Sequence, residues 1–187
     1  NGLNSGQVRV YNWDGSSWNQ LGNDIDGENS ADASGFSVSM SSDGNIIAIG
    51  AHENDGNGQS SGHVRAYNWD GSSWNQIGQD IDGEATYDVV PGLSVSMSSD
   101  GNIIAIGASG NDGNGQDAGH VRVYKWDGSS WNQLGQDIDG EAILDRSGFS
   151  VSMSSDGNIV AIGANENDGN GLNSGQVRVY NWDGSSW

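Results

Sequence analysis

The amino-acid sequence predicts an all-β protein built from tandem four-stranded antiparallel sheets, and three observations carry that expectation. One phrase, VRVYNWDGSSW, runs from Val8 to Trp18 and again from Val177 to Trp187. It returns in between as VRAYNWDGSSW (Val64 to Trp74) and VRVYKWDGSSW (Val121 to Trp131). The segments around it alternate apolar and polar residues with the period of two that a half-buried strand shows. No stretch has helical spacing, and glycine, 31 of 187 residues, interrupts every long window.

Aligned on the phrase, the chain divides into the end of a preceding repeat (1–6), repeats at 7–62, 63–119 and 120–175, and a partial repeat at 176–187. The full repeats are 56, 57 and 56 residues long, and the extra residue lies in ATYDVVPG, from Ala85 to Gly92. Within a repeat, FSVSM (Phe36 to Met40) sets Phe36, Val38 and Met40 on one face and serines on the other. Asp43-Gly44 in SSDGN then reads as a hairpin turn, because glycine accepts a positive φ without a Cβ clash. IIAIGA (Ile46 to Ala51) is a continuous apolar run, as expected of a strand covered on both faces. After a loop dense in Gly, Asn and Asp, VRVYNW alternates again, with Val8 and Val10 opposed to Arg9, Tyr11 and Trp13. DGSS turns the chain, and WNQLGNDI is expected to form a fourth, more polar strand.

Four short antiparallel strands in a repeat of about 56 residues have the make-up of a β-propeller blade, whose wet faces are buried only by neighbouring copies. A β-solenoid, with shorter rungs, and a string of separate sandwiches, with more residues per domain, are the alternatives.

Composition narrows the partners. Six Lys+Arg against 25 Asp+Glu give a formal charge of −19. Such a field repels nucleic acid and anionic membranes, whose binding relies on basic side chains, and it suits cations or neutral and basic partners. There is no cysteine, hence no disulfide or thiolate metal site. No apolar run approaches the length of a membrane span, and no signal peptide opens the sequence.

At Gly35, Phe36, Ser37 and Val38, at Asp43 and Gly44, at Ile49, Gly50 and Ala51, and at Gly62, Val64 and Tyr67, the chain resembles FG-GAP repeats. These are the blades of integrin-α-type propellers. The resemblance extends over all three repeats and implies a propeller fold, as in long repeat arrays of secreted or surface proteins. Many FG-GAP blades carry an aspartate-rich calcium loop after the first strand. This chain departs from that pattern, with Asp43, Asp100 and Asp156 each alone in the SSDGN turn.

In an antiparallel four-stranded sheet, the two tight turns lie at one end and the two longer loops at the other. Most acids of the first repeat fall at the longer-loop end, which is therefore the expected binding rim. There DIDGE recurs as Asp24-Asp26-Glu28, Asp80-Asp82-Glu84 and Asp137-Asp139-Glu141. Alternate residues of an extended strand point the same way, so each trio is a candidate Ca²⁺ site with NDGNG carbonyls nearby. A solvated strand end with an Asp-Gly turn is the simpler reading. The pairs Trp13/Trp18, Trp69/Trp74 and Trp126/Trp131 are candidate sugar-stacking platforms, or else packing between repeats. Histidines do not recur in every repeat: His63 matches His120, while Gln7 and Gln176 hold the equivalent places. No nucleophile elbow or phosphate loop is present, and the chain is expected not to be an enzyme.

Residues 1–18 match residues 170–187 letter for letter. Three expectations follow: a window of a longer array, an engineered fragment that closes a larger ring by oligomerisation, or a filament unit joined head to tail. The function expected is an extracellular or cell-surface repeat protein for adhesion or structural assembly (a fibre or appendage), with self-association and no membrane insertion. The alternatives are a glycan-binding lectin with one weak site per repeat, or a calcium-dependent adhesin engaging a surface protein.

Overall fold

A computed structural model describes residues 2–89 and 93–187; the last part of the expected insertion at Ala85 to Gly92 lies outside these residues. The chain opens with a half-sheet, in which β1 (Gln7–Val8) pairs with β4 (Ile25–Asp26) and β2 (Tyr11–Trp13) with β3 (Trp18–Gln20). A first complete sheet follows in the order β5 (Ser34–Met40), β6 (Ile46–Ala51), β7 (His63–Trp69) and β8 (Trp74–Gln76), with β9 (Ile81–Asp82) also on β7. The second sheet repeats this with β10 (Leu93–Met97), β11 (Ile103–Ala108), β12 (His120–Trp126), β13 (Trp131–Gln133) and β14 (Ile138–Asp139). The third holds β15 (Ser147–Met153), β16 (Ile159–Ala164) and β17 (Gln176–Asn181). Every ladder between these strands is antiparallel, and the described residues contain no helix. A sequence repeat bounded at 63–119 thus supplies the outer strands of one sheet and the first two strands of the next.

One expectation needs correction. WNQLGNDI does not run as a single fourth strand; it breaks into two short pieces, β3 and β4, β8 and β9, β13 and β14. The break falls at Gly22, Gly78 and Gly135, whose φ values are +76, +76 and +83. That backbone conformation strains any residue with a Cβ. At Gly78 a Cβ would also lie 2.7 Å from the Trp126 ring and 2.9 Å from that of Trp131.

This near-contact exposes the principal packing rule. Each sheet buries its faces against the next, in three successive cores. Val10 and Ile25 of the half-sheet meet Ile47, Ile49 and Tyr67. The opposite face of the first sheet, with Ala48, Val64 and Ala66, meets Leu93, Val95, Met97 and Ile104. Val121 and Val123 then meet Val160 and Ile162. IIAIGA is apolar throughout because its alternate residues serve two cores, Ile47 and Ile49 on one side and Ala48 on the other.

Tryptophan fastens each junction at the outer edge. The indole N–H of Trp74 donates to the Leu21 carbonyl at 2.9 Å, that of Trp131 to Ile77 at 3.0 Å, and that of Trp187 to Leu134 at 2.8 Å. In each case the acceptor immediately precedes the positive-φ glycine, so the break in the outer strand frees a carbonyl for the neighbouring sheet. Serines fasten the opposite edge. The Met97 amide donates to Ser39 Oγ at 3.0 Å and the Met153 amide to Ser96 Oγ at 2.9 Å, tying successive first strands together.

Trp131 therefore contributes both ring contacts and one hydrogen bond. Trp131→Phe is expected to cost about 1 kcal/mol, the loss of the hydrogen bond. Trp131→Ala is expected to cost about 3 kcal/mol, at the low end for such a truncation because the ring is half-buried. Urea unfolding of the two variants checks the difference.

Candidate functional site

The longer-loop end is built by the loops that precede β7 and β12 and by the segments that follow β4, β9 and β14. The two sets of loops are tied together by asparagine. Asn57 donates to the Gly83 carbonyl at 2.8 Å and Asn114 to Gly140 at 2.7 Å. Asn54 Oδ1 accepts from the Gly56 amide at 2.8 Å, so NDGNG is a side-chain-stabilised turn. Asp88 and Asp145 lie buried beneath, accepting from Asn111 at 3.0 Å and Asn167 at 2.9 Å.

The DIDGE acids lie on this rim, but they do not converge as the sequence suggested. Asp24 is held by Arg9 at 3.0 Å and by Gln20 at 2.7 Å. Asp80 and Asp137 accept from Gln76 and Gln133 at 2.6 Å each. Asp26 and Asp139 offer their backbone carbonyls to Arg65 and Arg178, at 3.1 and 2.9 Å, while their side chains stay exposed. Burial, then Asp80 beside it, raises the pKa of Asp82. Glu28 and Glu141 reach across a junction to Arg65 at 3.1 Å and Arg178 at 3.2 Å, and Glu84 pairs with Arg122. Gly27, Gly83 and Gly140, just past the last strand, stand at a close backbone approach, where a Cβ would lie 1.9, 1.9 and 2.0 Å from the carbonyl oxygens of Ser5, Ser61 and Ala118.

The acids instead regroup with histidine. Among the described residues, ligand atoms of Glu28, His63 and Asp80 lie within 4.8 Å of one another, as do those of Glu84, His120 and Asp137. Each trio takes its glutamate from one side of a junction and its histidine and aspartate from the other. Desolvation by burial holds both histidines below their ordinary pKa, so they are neutral near pH 7. Sequence reasoning missed these histidines because they were tested for recurrence in every repeat, whereas Gln7 and Gln176 replace them in the outer two. It also missed the arginine two positions on, present in all four copies of the phrase, which at Arg65, Arg122 and Arg178 reaches back to the preceding sheet.

The tryptophans are placed at the junctions. Trp69/Trp74 and Trp126/Trp131 form tilted pairs with ring centroids 5.4 and 5.3 Å apart, half-buried against the preceding sheet's glycine. Their inward ring faces are thus taken by protein. Trp13 and Trp18, 49% and 66% exposed, are the pair with no sheet before them.

At the tight-turn end, each SSDGN aspartate is used by its own turn. Asp43 accepts from Ser41 at 2.7 Å, the Asn45 amide at 3.0 Å and the Asn45 side chain at 2.8 Å. Both oxygens are occupied, and the residues present do not fit the calcium loop that the resemblance implies. The same turn holds the Asp43 carboxyl down at about 2, the Ser41 hydroxyl contributing most. In DGSS, Asp70 accepts from the Ser72 and Ser73 amides at 2.8 and 2.9 Å, which lowers its pKa further.

The comparisons with known proteins can be set against this geometry. The FG-GAP repeat model matches residues 137–180, from the outer edge of the second sheet through the third. Residues 137–180 are thus similar to an FG-GAP repeat. The stretch contains GFSVSMSSDG and the VRVY strand, two of the segments that carry the resemblance in sequence. Curated proteins yield no match. Among solved structures, one described as a "putative 6-phosphogluconolactonase from Bacteroides uniformis" aligns with a TM-score of 0.61 and 13% identity. The alignment covers 95% of this chain and 44% of that one, so the chain spans less than half of that protein's length. This likeness corrects the expectation that the chain is not an enzyme. An all-β architecture of this kind also carries a protein with an enzyme's name, so the fold does not exclude catalysis. At this identity, the likeness shows the fold alone.

The turn aspartates set an acid limit. Their folded-state pKa lies below the ordinary 3.8, so their stabilisation is complete above that value and is lost as pH falls toward about 2. The Tm gap between the native chain and Asp43→Ala is expected to hold constant above about pH 4 and to close near pH 2. Thermal melts across that range check it.

Proposed function

We propose that the chain is a scaffold of propeller-blade type that serves adhesion or the assembly of a fibre or surface appendage outside the cell, adding copies of its own sheet face to face. The observation that carries this reading is that the leading strand of the first sheet and the third strand of the last sheet each leave one apolar half of a junction open. In the second sheet, Leu93, Val95 and Met97 are buried against the first sheet. The same positions in the first sheet, Phe36, Val38 and Met40, are exposed. At the other end, Val177 and Val179 are 68% and 65% exposed, whereas their counterparts Val64, Val121 and Val123 are almost fully buried. A ridge of first-strand side chains at one end thus matches a valine recess at the other.

Exposed apolar faces of this kind mark association sites. The occupant that fits them is a further copy of the repeat, because the same contact is made twice inside the chain, between the first and second sheets and between the second and third. The FG-GAP match, in a repeat type characteristic of extracellular proteins, supports the location. Among the described residues, no helix is long and apolar enough to cross a membrane.

The native chain is expected to associate with rising concentration in sedimentation equilibrium, and either Val179→Asp or Met40→Asp is expected to abolish that association. A native chain that stays monomeric throughout, or variants that associate as before, would contradict the reading.

A further inference from the structure

His63 is 2% exposed, and neither ring nitrogen has a hydrogen-bond partner. Its Nδ1 faces Asp80 Oδ2 at 3.5 Å. That is too long for a sound hydrogen bond, yet it is close to the spacing of two ligands on one small ion. Donors about 2.05 Å from a tetrahedral ion lie about 3.3 Å apart. A neutral imidazole buried without partners is costly unless something else takes its lone pair.

We propose that Glu28, His63 and Asp80 bind a divalent cation of the zinc class across the junction between the half-sheet and the first sheet. One imidazole nitrogen and two carboxylate oxygens form a borderline donor set that suits Zn²⁺, while Ca²⁺ and Mg²⁺ take oxygen alone. Three protein ligands leave a fourth position for water. Supporting groups already orient the carboxylates. Gln76 donates to Asp80 Oδ1 at 2.6 Å, which leaves Oδ2 toward His63. Arg65 holds Glu28 Oε1 at 3.1 Å, which leaves the other oxygen free, and it offsets part of the charge of the two acids. The second trio is less suited: Arg122 pairs with both Glu84 and Asp137, and His120 Nδ1 lies 3.9 and 3.8 Å from them. The cation would bind the two sheets together, a contribution separate from the stacking of copies at the end faces.

The sequence itself supplies the test variant. Glutamine stands at the equivalent positions 7 and 176, so His63→Gln places there a residue that this strand already carries. The untagged chain is titrated with Zn²⁺ by calorimetry, and with Co²⁺ by visible absorption, in the presence of excess Ca²⁺. The native chain is expected to bind zinc and to give the intense cobalt bands of a tetrahedral site. His63→Gln is expected to weaken that binding more than about 100-fold, beyond the loss typical of a merely supporting residue, while His120→Gln leaves it in place. Asp80→Asn should weaken it too, and decides the matter if His63→Gln does not fold. No zinc binding by the native chain, equal binding by a folded His63→Gln, or displacement by Ca²⁺ would overturn the proposal.

Discussion

The junction between successive sheets is the constraint on which the rest of the structure depends. Among the described residues, no sheet has a core of its own: each apolar cluster takes residues from two sheets, and the central strands of the first and second sheets are buried because both their faces are covered. One such sheet by itself would expose apolar side chains on each face, and the burial of those side chains is the main favourable term in folding. The hydrogen bonds at the junction are arranged to secure it at both edges, indole to carbonyl at one and backbone amide to serine hydroxyl at the other. Charge secures it at the rim, where arginine reaches back to the acids of the preceding sheet.

Much of this architecture was legible in the sequence, and for physical reasons. Strand alternation, the unbroken apolar run of IIAIGA and the Asp-Gly turns are local features, set by side-chain direction and by glycine's freedom at positive φ. Three of the four strands expected in each repeat form as read, and the fourth is divided into two short pieces. What was not legible depends on contacts between repeats. WNQLGNDI looks like one strand, and only the tryptophan of the next sheet explains why it must break at Gly22, Gly78 and Gly135. The serines of FSVSM looked merely polar, yet Ser39 and Ser96 accept hydrogen bonds from the neighbouring strand.

The acidic rim shows the same limit in sharper form. Alternation along a strand suggested that Asp24, Asp26 and Glu28 would share one face. The strand ends at Asp26, and the glutamate beyond it answers to Arg65 and His63 more than thirty residues away. Chemistry at this rim is therefore assembled from two sheets at a time, and a reading confined to one repeat could not find it. Likewise, the absence of a familiar catalytic motif described the sequence and set no limit on the fold, which also occurs in a protein bearing an enzyme's name.

Native-state hydrogen exchange tests the central account most directly, since it reads the stability of each strand separately. If sheets are stable only through their neighbours, amides of β11 and β12, covered on both sides, should exchange slowest. Those of the half-sheet and of β17 should exchange much faster, and Trp131→Ala should speed exchange in the first and second sheets together. Equal protection in every sheet, with the Trp131→Ala effect confined to the second, would show that each sheet stands alone and would contradict the account.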